Sequence, residues 1–179
     1  MTRLKLLLSS LLFFPLGVAA EQHAASDASS ARAAAVLKKD DDSQAGSVTL
    51  VQTQSGVLLT ATLTNLAPGV HGFHIHETGA CKPDFKAAGG HFAPQGDAHG
   101  LLVKAGEHAG DMPNIHVGAD GKLKVEILNS EISLLEGEPG YLFDDDGAAI
   151  VIHAGADDYR SQPSGDAGDR VACGVINEG

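Results

Sequence analysis

The chain has 179 residues, with 12 Lys and Arg against 23 Asp and Glu, for a formal charge of −11 at pH 7. That balance argues against nucleic acid or an anionic membrane surface as a partner. No stretch beyond residue 20 is apolar enough to span a membrane, and the apolar run before it is short and interrupted.

Residues 1–20 have the layout of a secretory signal peptide. Arg3 and Lys5 precede an apolar run from Leu6 to Ala20, which ends in the small residues Val18, Ala19 and Ala20. Cleavage after Ala20 is expected. It removes both leading basic charges, leaving 10 basic against 23 acidic residues and a formal charge of −13. An exported protein meets oxidising conditions, so Cys81 and Cys173, its two cysteines, are expected to be paired. Closing so long a loop contributes roughly 4–5 kcal/mol on a chain-entropy view. Residues 21–31 are small and polar without a periodic apolar face, and read as a flexible lead-in. His23 within it reads as a spare surface histidine rather than a ligand.

From Arg32 onward the sequence breaks into short runs of β character. Ala33–Lys38, Gly46–Thr53 and Gly56–Asn65 are separated by turn-rich pieces. Ala67-Pro68-Gly69 marks the next turn, before a strand over residues 71–76. Residues 77–114 carry glycines, three prolines and three histidines without a sustained apolar period, so they read as a long functional loop. Strand patterns return at Asn114–Val117, Lys122–Leu128 and Gly147–His153. A second long loop, Ala154–Asp169, leads to the last run, Val171–Ile176. About eight short strands in one domain over residues 32–179 predict an all-β sandwich or barrel.

In an extended strand His74 and His76 share a face, while Phe73 and Ile75 take the other. Two imidazoles converging from one strand suit zinc or copper. A half-exposed strand with a polar wet face is the plainer reading of that pair alone. The loops alter the balance: His91, His99, His108 and Asp111 lie in the first, and His153 ends an apolar strand. Six imidazoles and a carboxylate are too many for one four-coordinate site and enough for two sites that share a ligand.

These motifs, in this order, resemble the copper/zinc superoxide dismutases. The resemblance lies in Gly72-Phe73-His74-Ile75-His76-Glu77, Gly90-His91-Phe92, His108-Ala109-Gly110-Asp111, Ile152-His153-Ala154-Gly155-Ala156-Asp157-Asp158 and Gly168-Asp169-Arg170-Val171-Ala172-Cys173-Gly174-Val175-Ile176. It runs from about Arg32 to the end. It implies an eight-stranded Greek-key β-sandwich or barrel with two long functional loops. It also implies copper on His74, His76, His91 and His153, and zinc on His91, His99, His108 and Asp111, with His91 bridging the two. Asp157 then matches an outer carboxylate linking copper and zinc ligands, and His71 a histidine that only supports the structure. His116, in a strand after the zinc cluster, pairs with no ligand position.

The implied activity is dismutation of superoxide to oxygen and hydrogen peroxide, with copper redox-active and zinc structural. Arg170 matches the arginine that holds the anion; a structural arginine tying a loop to carbonyls is the plainer role, and one residue can do both. Lys82, Lys86, Lys104 and Arg160 are candidates for a local attracting field in an acidic protein. The zinc-loop segment Pro94–Glu107 offers His99 little local context. The implied location is the periplasm, and a homodimer is one of the assemblies the family uses. The competing reading is an exported copper- or zinc-buffering protein on the same fold, but His74, His76, His91, His153 and Arg170 are all present, which favours turnover.

Overall fold

The computed structural model describes residues 31–179. The signal-peptide reading of residues 1–20 and the lead-in up to residue 30 lie outside them. The described residues form ten strands: β1 Arg32–Lys38, β2 Gln44–Thr53, β3 Gly56–Leu63, β4 Gly69–His71, β5 Phe73–His76, β6 Ile115–Val117, β7 Leu123–Asn129, β8 Ala149–His153, β9 Arg170–Val175 and β10 Asn177–Glu178. Among the described residues there is no α-helix, only a 3-10 turn at Phe85–Ala88, so no helix there is long and apolar enough to cross a membrane.

The main sheet is antiparallel and runs β5-β8-β9-β1-β2-β3-β7, with β10 also paired to β1. β1, β2 and β3 follow one another as hairpins, and β9 returns from far along the chain to lie beside β1. That order is a Greek key. β4 pairs with β6 in a small second sheet.

Alternation explains the first strands. Ala33, Ala35 and Leu37 point into the core while Ala34, Val36 and Lys38 point out, and β3 does the same with Val57, Leu59, Ala61 and Leu63. The sequence of Val57–Leu63 alternates only in part, because Leu58 breaks the pattern. Leu58 lies on the outer face between Val51 and Leu128, its partners in register, and is half-covered there.

The expected strand over 71–76 is in fact two. Gly72 separates β4 from β5, and the chain passes from the small sheet to the edge of the large one. β5 is buried on both faces, not half-exposed as its polar residues suggested. Phe73 and Ile75 join the main core; His74 and His76 face outward, where the loops cover them. There is also a third long connection, between β7 and β8, that periodicity did not announce. Ile132, Leu134 and Leu142 tie it to the core.

Cys81 and Cys173 form the expected disulfide, with Cα atoms 5.8 Å apart. It packs on the outer face with Phe85, Ala88, Ala149 and Val151, and so anchors the start of the first loop against β8 and β9.

A candidate metal centre on the outer face of the sheet

β5 is an edge strand, and its free backbone groups must be met by something. The long loop meets them. Ile75 N–H donates to Gly110 C=O at 2.9 Å, and Phe92 N–H donates to Ile75 C=O at 2.9 Å. A Cβ on Gly110 would lie 2.2 Å from the Ile75 oxygen, so only glycine permits the approach. This contact carries His91 opposite His76 and Asp111 opposite His74.

One imidazole nitrogen of each copper-candidate histidine is occupied by protein, and the other is not. His74 Nε2 lies 2.8 Å from Asp157 Oδ2, His76 Nδ1 3.0 Å from Gly89 C=O, and His153 Nδ1 3.2 Å from Gly168 C=O. His91 Nδ1 lies 2.7 Å from Asp111 Oδ1. At His74, His76 and His153 these partners accept, so the facing nitrogens carry the protons, whereas His91 Nδ1 faces the carboxylate of the second donor set. The opposite atoms, His74 Nδ1 and Nε2 of His76, His91 and His153, are buried with no hydrogen-bond partner. Each of these residues offers a ligand atom within 4.8 Å of the others. Four orphaned lone pairs aimed at one point are what an imidazole-bound cation requires.

A second set forms around Asp111. Nδ1 of His91 and Nδ1 of His99 lie 2.7 and 3.0 Å from its carboxylate, with His108 Nδ1 at 3.4 Å. Gly100 and His108 N–H groups donate to Asp111 Oδ2. Three nitrogens and one carboxylate, again within 4.8 Å, fit a closed tetrahedral zinc site. His91 belongs to both sets, its ring centroid 4.1 Å from His74 and 5.1 Å from His99. Asp157 joins the sets by a second route, reaching His99 Nε2 at 3.1 Å with its other oxygen.

The electrostatics keep donors available. Burial, with the fields of His91 and Arg170 added, pushes His76 down to about 2. Burial likewise lowers His91 and His153 to about 4. Burial alone would raise Asp111 and Asp157. The nearby His108 ring, with hydrogen bonds from His91 and Gly100, outweighs it at Asp111, and hydrogen bonds from His74, Tyr159 and His99 do so at Asp157, so both are held below the usual carboxylate range. The carboxylate of Asp111 beside it raises His108.

His76, His91, His153 and Arg170 line one open cleft of about 620 Å³ together with Lys86 and Asp84. Arg170 is partly buried and donates to Phe85 C=O and Gly89 C=O, both at 2.6 Å. The structural-arginine role is therefore occupied, and the side chain still borders the cleft. Of the four other basic candidates only Lys86 lines it. Lys82 is paired with Asp42 at 2.9 Å in the open, and Arg160 donates to Leu102 C=O.

His71 bonds carbonyls on both sides, Ala67 at 2.8 Å and His153 at 2.7 Å, and supports the end of β8. His116 is exposed on β6. His23 lies outside the described residues. Backbone carbonyls were the part of the site that residue types could not reveal. Gly89 C=O takes both His76 and Arg170, and the Gly89-Gly90 pair ahead of His91 was its only signal. Asn114 was missed too: it pairs with the backbone N–H and C=O of Asp157 at 2.9 and 2.8 Å, fixing that carboxylate in place.

A family model for copper/zinc superoxide dismutase (SODC) matches residues 44–176. Copper/zinc superoxide dismutase 1 of Aquifex aeolicus is 51% identical over 133 residues, covering 73% of this chain and 79% of that protein. The Caulobacter vibrioides copper/zinc superoxide dismutase is 48% identical over 136 residues, covering 74% and 78%. The crystal structure of a superoxide dismutase-like protein from Bacillus subtilis aligns with a TM-score of 0.76 at 39% identity, covering 79% of this chain and 96% of that one. The donor geometry and these likenesses agree, and the chain belongs to the copper/zinc superoxide dismutase family.

Proposed function

We propose that this protein converts two superoxide ions and two protons into oxygen and hydrogen peroxide. In this reading copper is held by His74, His76, His91 and His153, and zinc by His91, His99, His108 and Asp111. Copper supplies one-electron redox chemistry when bound, and zinc, which has none, supplies structure and charge. The observation that carries the reading is His91, whose two ring nitrogens look into two different donor sets.

The residues of the chain divide the remaining work. Arg170 brings a permanent positive charge and several donors to the cleft, where a small anion is held beside His76, His91 and His153. Lys86 adds a second positive charge there. His91 Nε2, which no other protein group occupies, would be the atom to hold a proton for the departing peroxide whenever it is not bound to copper. Asp157 fixes the orientation of His74 and His99 from outside, and so keeps the two donor sets in register.

Export to the periplasm is part of the same reading. The layout of residues 1–20 supports it, and so does the Cys81–Cys173 disulfide, which persists in oxidising compartments. The test is to load the mature protein with both metals and measure superoxide removal. Rapid removal is expected; none at full occupancy of both sites would leave the metal-buffering reading.

A further inference from the structure

We propose that Gln162 is a positioning residue for the zinc site, holding the backbone of His99 from the opposite loop. The inference rests on the reading that His99 is a zinc ligand. His99 lies in the Pro94–Glu107 stretch, where no strand or helix sets its direction. Its side chain is fully buried all the same. Both of its backbone groups are met by one side-chain amide 63 residues away. His99 N–H donates to Gln162 Oε1 at 3.0 Å, and Gln162 Nε2 donates to His99 C=O at 2.8 Å. An amide used in this way copies the pairing that a neighbouring strand would supply. A further bond from Nε2 to Arg160 C=O, at 3.2 Å, orients it.

The segments on either side reinforce this contact. Leu102 N–H donates to Tyr159 C=O at 3.2 Å, and Arg160 Nη1 donates to Leu102 C=O at 3.2 Å. A Cβ on Gly100 would lie 2.2 Å from the Tyr159 oxygen, so the two backbones touch there. Residues 99–102 therefore dock along 159–162.

Two devices act on His99. Asp157 holds its ring at Nε2, and Gln162 holds its main chain. A ring held at one nitrogen can still swing if its Cα moves, and that swing takes Nδ1 away from Asp111. Fixing the backbone removes the freedom. Contacts that orient a ligand from outside change metal affinity by about 10- to 100-fold. Gln162 is exposed, so water can replace its amide, and its loss should act on zinc more than on folding.

The test follows zinc and copper release to a chromogenic chelator from the fully loaded mature chain. Parent, Gln162→Leu, Gln162→Glu and His99→Ala are compared. Gln162→Leu keeps the bulk but neither bond, and is expected to release zinc about 10-fold faster with copper release unchanged. Gln162→Glu keeps the acceptor for His99 N–H and loses the donor, so it should fall between; it also stands in if the leucine variant folds poorly. Cobalt placed in the zinc site should show an altered visible spectrum in Gln162→Leu. Parent-like zinc release and cobalt spectrum in both Gln162 variants, with zinc lost from His99→Ala, would overturn the inference and leave the zinc-site reading standing. Parent-like zinc retention in His99→Ala would remove that reading, and this inference with it. Equal acceleration of copper and zinc loss in Gln162→Leu would make Gln162 a general tether of the loop, which also overturns the proposal.

Discussion

His153 and Arg170 are cross-strand partners because the pairing of β8 with β9 skips Val171. Ile152 faces Ala172, and His153 then faces Arg170. Ala172 points into the core, and strict alternation would send Arg170 the same way. The irregularity reverses that parity and puts the guanidinium on the cleft face beside His153. Arg170→Ala should therefore keep both metals but lower the superoxide rate by about tenfold or more, by removing the charge that gathers the anion. Arg170→Lys should recover part of the rate, since it restores charge without the two-donor fork. Metal analysis and fast kinetics on the same samples decide the matter; a parent-like rate in Arg170→Ala would take away its anion-holding role.

The two donor sets should be separable by mutation. His153 has its unpartnered nitrogen in one set only, and Asp111 is the centre of the other. His153→Ala is expected to lose copper and retain zinc, while Asp111→Ala weakens zinc by at least about tenfold with a smaller effect on copper. Metal stoichiometry after dialysis against a chelator reads both. Parent-like binding in both variants would mean that the ligand assignment is wrong.

Removing the disulfide should reach the cleft as well as the fold. Cys81 and Cys173 are 92 residues apart in sequence, and replacing both with serine should cost about 2–5 kcal/mol in denaturant unfolding. The bond also anchors the stretch whose Phe85 and Gly89 carbonyls hold Arg170. Activity of the folded, metal-loaded variant is thus expected to fall. An unchanged rate with lowered stability would confine the disulfide to a folding role.

Acid should destabilise the metal-free protein over a defined window. Burial keeps His91 and His153 near 4 in the folded state, against about 6.5 when unfolded. Between those values the unfolded chain binds more protons. Stability is therefore fully present above pH 6.5 and is lost as pH falls through about 4. The raised His108 acts in the opposite sense but is a single, partly exposed group. Urea titrations of the metal-free chain from pH 7 to 4 should show a loss of more than about 1 kcal/mol for each of His91 and His153. Flat stability over that range would mean that the histidines are not held neutral by burial.

Local chemistry made much of the centre legible in the sequence. His74 and His76 declare a shared face by period-2 spacing. Ordered motifs around His91, His108, Asp111, His153 and Arg170 carried the family resemblance. Cysteine count and the layout of residues 1–20 led to the disulfide that the structure contains. Such features depend on neighbours within a few residues, so a linear reading can reach them.

What the tertiary structure alone decided concerns groups that meet across the chain. The loop that covers the β5 edge brings His91 and Asp111 to His74 and His76, through a backbone contact that only glycine at position 110 allows. Gly89 C=O, shared by His76 and Arg170, has no side chain to announce it. His99 looked unsupported because its support comes from Gln162 and Asp157, about 60 residues later. The parity change at Val171 is a matter of register between two strands, and register has no signature in either strand alone.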